Sequence, residues 1–360
     1  MSVRVAVAGL GAVADRIHLP ACRAVPEIEI VGACDPDPAA RERLSSKFSL
    51  PRTFVSVDEM LLTTRPDVLI VGTPPDAHAG VCLQAIDCGV HVFCEKPFTA
   101  TLDEADRVIE AARAKNLLVR INNQYRYMTF YRETFERLQR GEFGRLFYLQ
   151  GWQRMFHPPE HETNWRSGLT QNVLYEFGTH AFDLASLFFD ARPVSINAHI
   201  PQIPTHASDV VVNTVLRFPD ERIAALSFNR VSHAPEKYFE LRLDCERASL
   251  RLSLGGVARF SVEWSRQARR PVTNFGLVKG GLARAEVNGQ SRTYCSSRHD
   301  EFASATADHL RIFLAEMRQP VRPLAAAEHA REMLRLVFAA YDSGATGETV
   351  WLTSSGRRER

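Results

Sequence analysis

The chain has 360 residues, a formal net charge of +2, 45% hydrophobic residues and 24% charged residues. This length is more than one small core needs and predicts two domains. Acidic and basic residues are interspersed, so the composition indicates no nucleic-acid partner. No apolar run is long enough to span a membrane, and the N-terminus enters a strand directly, which predicts neither a membrane partner nor a signal peptide. Seven cysteines without a C-x-x-C pair are typical of a reducing compartment, and we expect a cytoplasmic location.

The chain begins with an apolar strand, a glycine-containing turn and a segment with helical spacing, all within Val3 to Leu19. This order is typical of a nucleotide-binding loop, because Gly9 can adopt backbone angles closed to other residues and Gly11 lets a pyrophosphate approach closely. The phosphates would lie on free amides at the start of the helix. The residues predicted to contact the cofactor here are Gly9, Gly11, Ala12, Val13 and Ala14.

Asp35 follows the next apolar run, Ile28 to Cys34. This is about the distance at which a carboxylate binds the ribose 2′-hydroxyl of a dinucleotide. The carboxylate would repel the 2′-phosphate of NADP, so we expect NAD as the cofactor, with NADP as the alternative. Asp35 favours the cofactor-binding interpretation of the glycine turn over an ordinary strand-to-helix turn.

Strands and helices alternate over the first 125 residues. This pattern predicts a doubly wound parallel sheet and therefore a dinucleotide-binding domain at 1–125. Ligands of such sheets lie outside the carboxyl ends of the strands, which directs attention to the loops there. The later strands are predicted at Asp67–Val71, His91–Cys94 and Leu117–Ile121, and the helices at Pro38–Phe48, Asp58–Leu62, Ala77–Cys88 and Leu102–Lys115.

The loop after the strand at Asp67–Val71 contains Thr73, Pro74 and His78. Its prolines lie where the chain leaves the sheet, and we expect all three residues at the cofactor edge. His78 is equally suited to hydrogen bonding at the N-terminus of the next helix.

The next two loops carry further polar residues. Glu95 and Lys96 precede a proline that restricts the lysine backbone, so Lys96 is predicted to be held at the ligand edge, with an exposed Lys96–Glu95 pair as the alternative. Glu95 and Lys96 are also predicted to contact the cofactor. Tyr125 and Arg126 belong to a polar cluster after the last strand, which suits a hydroxyl-rich ligand.

The pattern changes in the second half, 126–360, where longer alternating strands predict a mostly antiparallel sheet. Two late amphipathic helices, Phe302–Arg318 and Ala325–Asp342, are expected to return to the first domain. No structure is predicted for 265–298, and the basic cluster at the end is expected to be a solvated tail. The strands are predicted near Val194–Ile200, Val210–Phe218, Arg222–Asn229, Phe239–Cys245 and Leu250–Leu254, and the basic cluster is Arg357, Arg358 and Arg360.

A helix predicted at Val173–Phe189 carries ionisable residues on an apolar background. Glu176 and His180 are four residues apart and share a face with Asp183, so the carboxylate of Glu176 can orient the imidazole for proton transfer. The alternative is a salt bridge that supports a surface helix.

Two signals nearby are weaker. Trp165 and Arg166 precede this helix and are expected either to line a pocket or to form a structural stacking pair. The segment from His157 to His161 has metal-like spacing, but its two prolines exclude a helix, so we expect a plain loop and no metal site.

The glycine turn, Asp35, the T-P-P-D-A-H and Glu95-Lys96-Pro97 motifs and the E-x-x-x-H helix occur in the order typical of one family. In this combination the chain resembles the Gfo/Idh/MocA oxidoreductases over nearly its whole length. The resemblance implies a Rossmann domain followed by an open-faced, mostly antiparallel sheet domain. It also implies hydride transfer between NAD(P) and a carbinol carbon of a sugar or cyclitol, and a homodimer or homotetramer formed through the second sheet.

The same resemblance assigns roles to three residues. Lys96 and His180 match the catalytic lysine and histidine of the family, and Glu176 stands where most members have aspartate. Ahead of Glu176, consecutive glycines are replaced by Thr170-Gln171-Asn172, which would reshape the sugar pocket. The candidate substrate contacts are Tyr125, Arg126, Trp165, Arg166 and Asn172.

The expected function is a dehydrogenase or reductase acting on a secondary alcohol or ketone of a carbohydrate-like substrate. One alternative is a net non-redox reaction, an elimination or epimerisation, in which a tightly bound NAD is reduced and reoxidised. A second is a ligand sensor without catalysis, and reduction of an imine or tetrapyrrole is also open. The sequence leaves the substrate, the direction of reaction and the exact oligomer open.

Overall fold

The computed structural model describes residues 2–158, 165–234, 237–255, 257–265, 270–278, 280–297 and 299–352. The chain divides into two compact units, which are described separately: the first comprises Met1–Tyr127 and Phe302–Leu336, the second Met128–Glu301 and Val337–Arg360. His161, the basic end of the chain and residues 266–269, 279 and 298 lie outside the described residues.

The first unit contains a six-stranded sheet whose neighbouring strands are all parallel, in the order β3-β2-β1-β4-β5-β6. This order reverses direction between β1 and β4, where dinucleotides bind to doubly wound sheets. The predicted parallel sheet is therefore confirmed. The strands are β1 Val3–Ala8, β2 Ile28–Cys34, β3 Thr53–Phe54, β4 Val68–Val71, β5 His91–Cys94 and β6 Val119–Ile121.

Three of the helices between these strands begin at a side-chain cap, provided by Asp37, Ser56 and Thr101. Asp37 accepts a hydrogen bond from the Ala39 amide, and Thr101 forms a capping box with Glu104. Most predicted boundaries differ from the structure by only one or two residues. A π-helical turn at Ala14–His18 precedes α1 Leu19–Arg23, and the other helices are α2 Pro38–Phe48, α3 Val57–Thr64, α4 Pro75–Asp87 and α5 Leu102–Ala114.

The second unit contains a nine-stranded sheet in the order β16-β15-β12-β11-β7-β10-β9-β8-β17. Its described neighbours are antiparallel except β7 with β10. The predicted mostly antiparallel sheet is confirmed. The strands are β7 Leu146–Arg154, β8 Ser195–His199, β9 Val211–Arg217, β10 Ile223–Asn229, β11 Lys237–Cys245, β12 Ser249–Leu254, β15 Gly281–Val287, β16 Gln290–Ser296 and β17 Val350–Trp351.

The segment 265–298, for which no structure was predicted, contains strands. A separate antiparallel pair is formed by β13 Val257–Ser265 and β14 Arg270–Val278, and β15 and β16 follow. Most side chains of β16 are exposed. A strand without a buried face shows no apolar alternation, which explains why the sequence did not reveal it.

The remaining helices belong to both units. In the first unit, Leu310 of α8 packs with the core on one face of the parallel sheet and Ala327 of α9 with the core on the other. In the described part of the chain, none of the helices is long and apolar enough to cross a membrane. The helices are α6 Thr129–Gln139, α7 Thr179–Phe189, α8 Glu301–Met317 and α9 Ala325–Thr346, and a second π-helical turn at Leu174–Gly178 precedes α7.

Candidate functional site

The glycine loop lies at the carboxyl end of β1. Gly9 has φ +90°, and a Cβ there would lie 2.6 Å from the carbonyl oxygen of Gly72, so only glycine fits. A Cβ on Gly11 would meet nothing within 4 Å. Ala14 is buried at the start of the π-helical turn. This open space beside a helix start fits the pyrophosphate of a dinucleotide.

Asp35 follows β2 directly, and its carboxylate accepts backbone hydrogen bonds from two loops. Its Oδ2 accepts a hydrogen bond from the backbone N–H of Leu10 at 2.7 Å, and its Oδ1 accepts one from Asp37 N–H at 2.8 Å. Arg41 of α2 reaches back, and its Nη1 donates to the carbonyl oxygens of Asp35 at 2.6 Å and Pro36 at 3.0 Å. Sequence spacing did not reveal that Arg41 reaches this turn, because the contact depends on how α2 folds back.

His78 is fully buried within the first turn of α4. Its Nδ1 lies 2.9 Å from the carbonyl oxygen of Pro97, and its Nε2 lies 2.8 Å from that of Thr73. Burial lowers the pKa of His78, and the hydrogen bonds with these carbonyls counteract this in part. The ring thus fastens the Thr73–Pro74 loop to the loop after Lys96. Contact of Thr73, Pro74 and His78 with a cofactor stays a prediction.

Glu95 follows β5 and is the residue before Lys96. Its buried Oε1 lies 3.0 Å from Nε2 of His18 and accepts a hydrogen bond from Nδ2 of Asn122 at 2.7 Å. Burial raises the pKa of Glu95, but the close contact with His18, the Asn122 amide and the Lys96 charge outweigh it and lower the pKa to about 2. Glu95 is therefore a buried carboxylate at the ligand edge of the sheet. His18 was not among the predicted site residues.

Tyr125 and Arg126 lie in a short helical turn after β6. The Tyr125 ring is buried and makes an edge contact with Phe302, with 5.7 Å between ring centroids. Nη2 of Arg126 lies 3.2 Å from Nε2 of His329. Both residues have described partners in the first unit, and their contact with a substrate stays a prediction.

In the second unit, His180 lies in the first turn of α7 and is buried. Glu176 lies in the π-helical turn before it, and its Oε2 accepts a hydrogen bond from Nε of Arg166 at 3.0 Å. The Arg166 guanidinium lies over the Trp165 ring, 4.3 Å from its centroid. Of the two roles expected for Trp165 and Arg166, the structural stacking pair is present. Orientation of His180 by Glu176 stays a prediction.

Gly178 is the last residue of the π-helical turn, and a side chain at this position would crowd Leu174. A Cβ on Gly178 would lie 3.2 Å from Cβ of Leu174. Insertion of such a turn into a helix is frequent at functional sites. The sequence predicted a continuous helix, because the change from i+4 to i+5 bonding leaves no mark in the apolar pattern.

The start of this turn is capped by residues distant in sequence. Asp209 accepts hydrogen bonds from the backbone N–H groups of Asn172 and Val173, and Tyr341 donates to Oδ2 of Asp209 at 3.0 Å. Oδ1 of the buried Asn172 accepts a hydrogen bond from Arg230. Burial raises the pKa of Asp209, although these hydrogen bonds lower it in part. Asn172 is thus part of a buried network, and its predicted contact with substrate remains untested.

Two curated relatives and one solved structure illustrate what the chain is similar to. It is 28% identical over 208 residues to D-glucoside 3-dehydrogenase of Escherichia coli (55% of this chain, 57% of the relative). It is 25% identical over 197 residues to scyllo-inositol 2-dehydrogenase (NAD(+)) of Bacillus subtilis (55% and 57%). The chain spans about six tenths of the length of most curated relatives it matches. The structure of myo-inositol 2-dehydrogenase from Lactobacillus plantarum has the same fold, with a TM-score of 0.78, 19% identity and coverage of 98% of this chain and 100% of that one.

Two family models cover most of the chain. Residues 3–123 match the model described as "Oxidoreductase family, NAD-binding Rossmann fold". Residues 131–251 match the one described as "GFO/IDH/MocA C-terminal domain". Both matches agree with the parallel sheet of the first unit and the mostly antiparallel sheet of the second. The chain therefore belongs to the Gfo/Idh/MocA family of NAD-binding oxidoreductases.

Proposed function

We propose that this protein is an NAD-dependent dehydrogenase or reductase that acts on a secondary alcohol or ketone of a sugar- or cyclitol-like substrate. The observation that carries the proposal is the edge of the parallel sheet, where the glycine loop, the Asp35 carboxylate and Lys96 follow three of its strands. The names of the relatives, a glucoside dehydrogenase and an inositol dehydrogenase, support the substrate class.

The residues at this edge fit a dinucleotide. The space beside Gly11 would take the pyrophosphate, and the Asp35 carboxylate would accept hydrogen bonds from the adenosine ribose. A 2′-phosphate would meet the same negative charge, which favours NAD over NADP. When bound, the nicotinamide ring accepts or supplies the hydride.

The chain's own residues would move the proton and stabilise charge. In the oxidation direction, His180 would accept the proton of the substrate hydroxyl, and the Lys96 ammonium would stabilise the developing alkoxide. Glu176, fixed by its hydrogen bond with Arg166, would hold the His180 ring in one orientation. The proposed substrate contacts remain Tyr125, Arg126, Trp165, Arg166 and Asn172.

The second sheet is the proposed site of self-association. In register across β7, β10 and β9, Gln150, Ala225 and Val215 lie side by side, and Val215 is exposed. The other face of these strands is buried, so this outward face would join copies in a homodimer or homotetramer. Sedimentation of wild type and Val215→Lys tests this, since the charge on an apolar contact would favour the monomer.

The first test of the proposed function is calorimetric titration of NAD⁺ and NADP⁺ into wild type and Asp35→Ala. We expect NAD⁺ to bind wild type and to bind Asp35→Ala about tenfold more weakly, the equivalent of one hydrogen bond to a charged group. A polyol and sugar panel, followed by NADH absorbance, then identifies substrates. Lys96→Ala and His180→Ala should each lower turnover by about 10²- to 10⁴-fold, the usual contribution of a proton-transfer residue.

The results separate the alternatives. If neither nucleotide binds, the enzyme proposal fails. Protein that purifies with bound NAD and converts a substrate without releasing NADH would indicate the net non-redox reaction. Binding of NAD⁺ without conversion of any compound would favour a sensor.

A further inference from the structure

A buried histidine connects the glycine loop with the Lys96 loop. His18 is the last residue of the π-helical turn that follows the glycine loop, and its side chain is fully buried. Its Nε2 lies 3.0 Å from Oε1 of Glu95, whose Oε2 accepts a hydrogen bond from the backbone N–H of Lys96 at 3.2 Å. We infer that His18 is a positioning residue that fixes Lys96 through the Glu95 carboxylate. The catalytic consequence rests on the proposed function, in which Lys96 contacts the substrate.

The Glu95 carboxylate can hold two partners rigidly because it is ionised and each oxygen is used. Oε1 faces His18 and also accepts from Asn122, which follows β6, while Oε2 takes the Lys96 amide. Hydrogen bonds to an ionised acceptor are stronger than those between neutral groups. Loops from β1, β5 and β6 are therefore joined at one buried charge.

The orientation of the His18 ring is itself constrained. Its edge contacts Phe93, with ring centroids 6.3 Å apart and planes at 89°. On another side lies Gly72, where a Cβ would be 3.5 Å from Cδ2 of His18. Nε2 of the ring therefore faces the Glu95 carboxylate, 3.0 Å from Oε1.

Stability alone is a poor explanation for this pair. Placing a histidine and a carboxylate in the interior costs desolvation, and apolar residues of similar volume stabilise a fold at least as well. The same sheet offers a contrast in His91, at the opposite end of β5, whose Nδ1 accepts a hydrogen bond from the backbone N–H of Leu118 at 2.9 Å, while Asp67 acts on its ring through charge. The close contact between a histidine and a buried carboxylate lies at the end of β5 that carries Lys96.

The experiment measures how well Lys96 is held, without any substrate. Acetylation of Lys96 by acetic anhydride at pH 8 is followed by peptide mass spectrometry in wild type, His18→Phe, His18→Gln, Glu95→Gln and the control His91→Phe. His18→Phe and Glu95→Gln should raise the Lys96 rate about fivefold, because each removes a contact of the Glu95 carboxylate that restrains the loop. His18→Gln keeps a donor near the position of Nε2 and should stay close to wild type.

The control separates positioning from general loss of stability. His91→Phe also removes a histidine hydrogen bond, here a half-buried one, and should lower the melting temperature, but it should leave the Lys96 rate unchanged. Equal Lys96 rates in His18→Phe and His91→Phe would overturn the inference. If His18→Phe does not fold, the inference is tested by comparing Glu95→Gln with His18→Gln. Only Glu95→Gln should raise the rate of Lys96 acetylation, and equal rates in these two variants would also overturn the inference.

Turnover gives a second readout once the panel provides a substrate. His18→Phe should lower kcat about tenfold, because small misplacements of a reacting group are costly, while the Kd for NAD⁺ changes little. His18→Gln should restore most of kcat. If Lys96→Ala retains full turnover, the proposed role of Lys96 fails, whereas the acetylation result still decides whether His18 positions it.

Discussion

Each of the two units contains a π-helical turn that leads into an α-helix. The first turn ends at the buried His18, and the second ends two residues before the buried His180. In the first unit the turn at Ala14–His18 is held by the motif residue Glu95. In the second, the turn at Leu174–Gly178 is capped by Asp209 and Tyr341, far away in sequence. The π-helical turn of the first unit thus contacts a residue of a sequence motif, whereas that of the second unit is capped by residues distant in sequence.

The difference affects how each region tolerates change. Around the first turn, backbone geometry is the limiting factor, because Gly9 packs on the carbonyl of Gly72. Around the second, the limiting factor is a buried polar network whose members come from a loop, a strand end and the last helix. Substitutions that remove one type of anchor should therefore damage only one region.

The largest expected effect is that of Gly9→Ala. Its Cβ would lie 2.6 Å from the Gly72 carbonyl at φ +90°, so we expect a loss of about 3 kcal/mol or more in the free energy of unfolding. NAD⁺ binding should be lost with it. Gly11→Ala is the matched control, because nothing lies within 4 Å of its Cβ.

Gly11→Ala should keep a melting temperature close to that of wild type and bind NAD⁺ more weakly, since the added methyl group would occupy space for the pyrophosphate. Calorimetric titration and thermal unfolding of both variants provide the measurements. A stable Gly9→Ala, or an undiminished affinity in Gly11→Ala, would show that the loop does not pack or bind as described.

A second prediction uses the opposite pKa shifts of two buried carboxyls. The pKa of Glu95 falls from its ordinary value of 4.5 to about 2, so its stabilising contribution is present above pH 4.5 and is lost as the pH falls toward 2. The size of this contribution is about 3 kcal/mol. The pKa of Asp209 is raised by burial, so its ionisation costs stability, and acid removes that cost.

Hydrogen exchange of separate peptides measures the two effects, because the two units need not unfold together. As the pH falls from 6 to 3, protection around Glu95 should decrease in wild type but much less in Glu95→Gln. Around Asp209, protection in wild type should increase as the pH falls, and Asp209→Asn should remove this increase. Parallel acid responses in the two regions would contradict the assigned directions.

The sequence revealed the first region better than the second. Gly9, Asp35 and Lys96 each lie just after a strand, so their position at the ligand edge could be predicted from the strand-turn-helix order. Asp209 and Tyr341 could not be predicted, because 37 residues separate Asn172 from Asp209 and 167 separate Leu174 from Tyr341. No periodicity relates residues so far apart.

His18 was missed for a different reason. A single histidine in a helical pattern is more often a plain core residue, and its partner Glu95 belongs to a motif that directs attention to Lys96. The strands in 257–296 were missed because those with described side chains have little apolar alternation. Local sequence thus predicted the fold class and the cofactor loop, but not the buried polar contacts that hold the candidate site.

The smallest expected effect is that of Tyr341→Phe. Tyr341 Oη accepts a hydrogen bond from Leu174 N–H at 3.1 Å and donates one to Asp209 at 3.0 Å, so its loss should cost about 1 to 2 kcal/mol. Tyr294→Phe is the matched control in the same unit, because it removes a hydroxyl that lies 2.8 Å from Oγ1 of Thr134.

Both variants should lower the melting temperature, but only Tyr341→Phe should accelerate amide exchange at Leu174, because that amide loses its acceptor. The looser turn should then lower the turnover that depends on His180, whereas Tyr294→Phe should leave it unchanged. If exchange at Leu174 responds equally to both substitutions, the turn is not held by Tyr341, and the contrast between the two anchored turns does not hold.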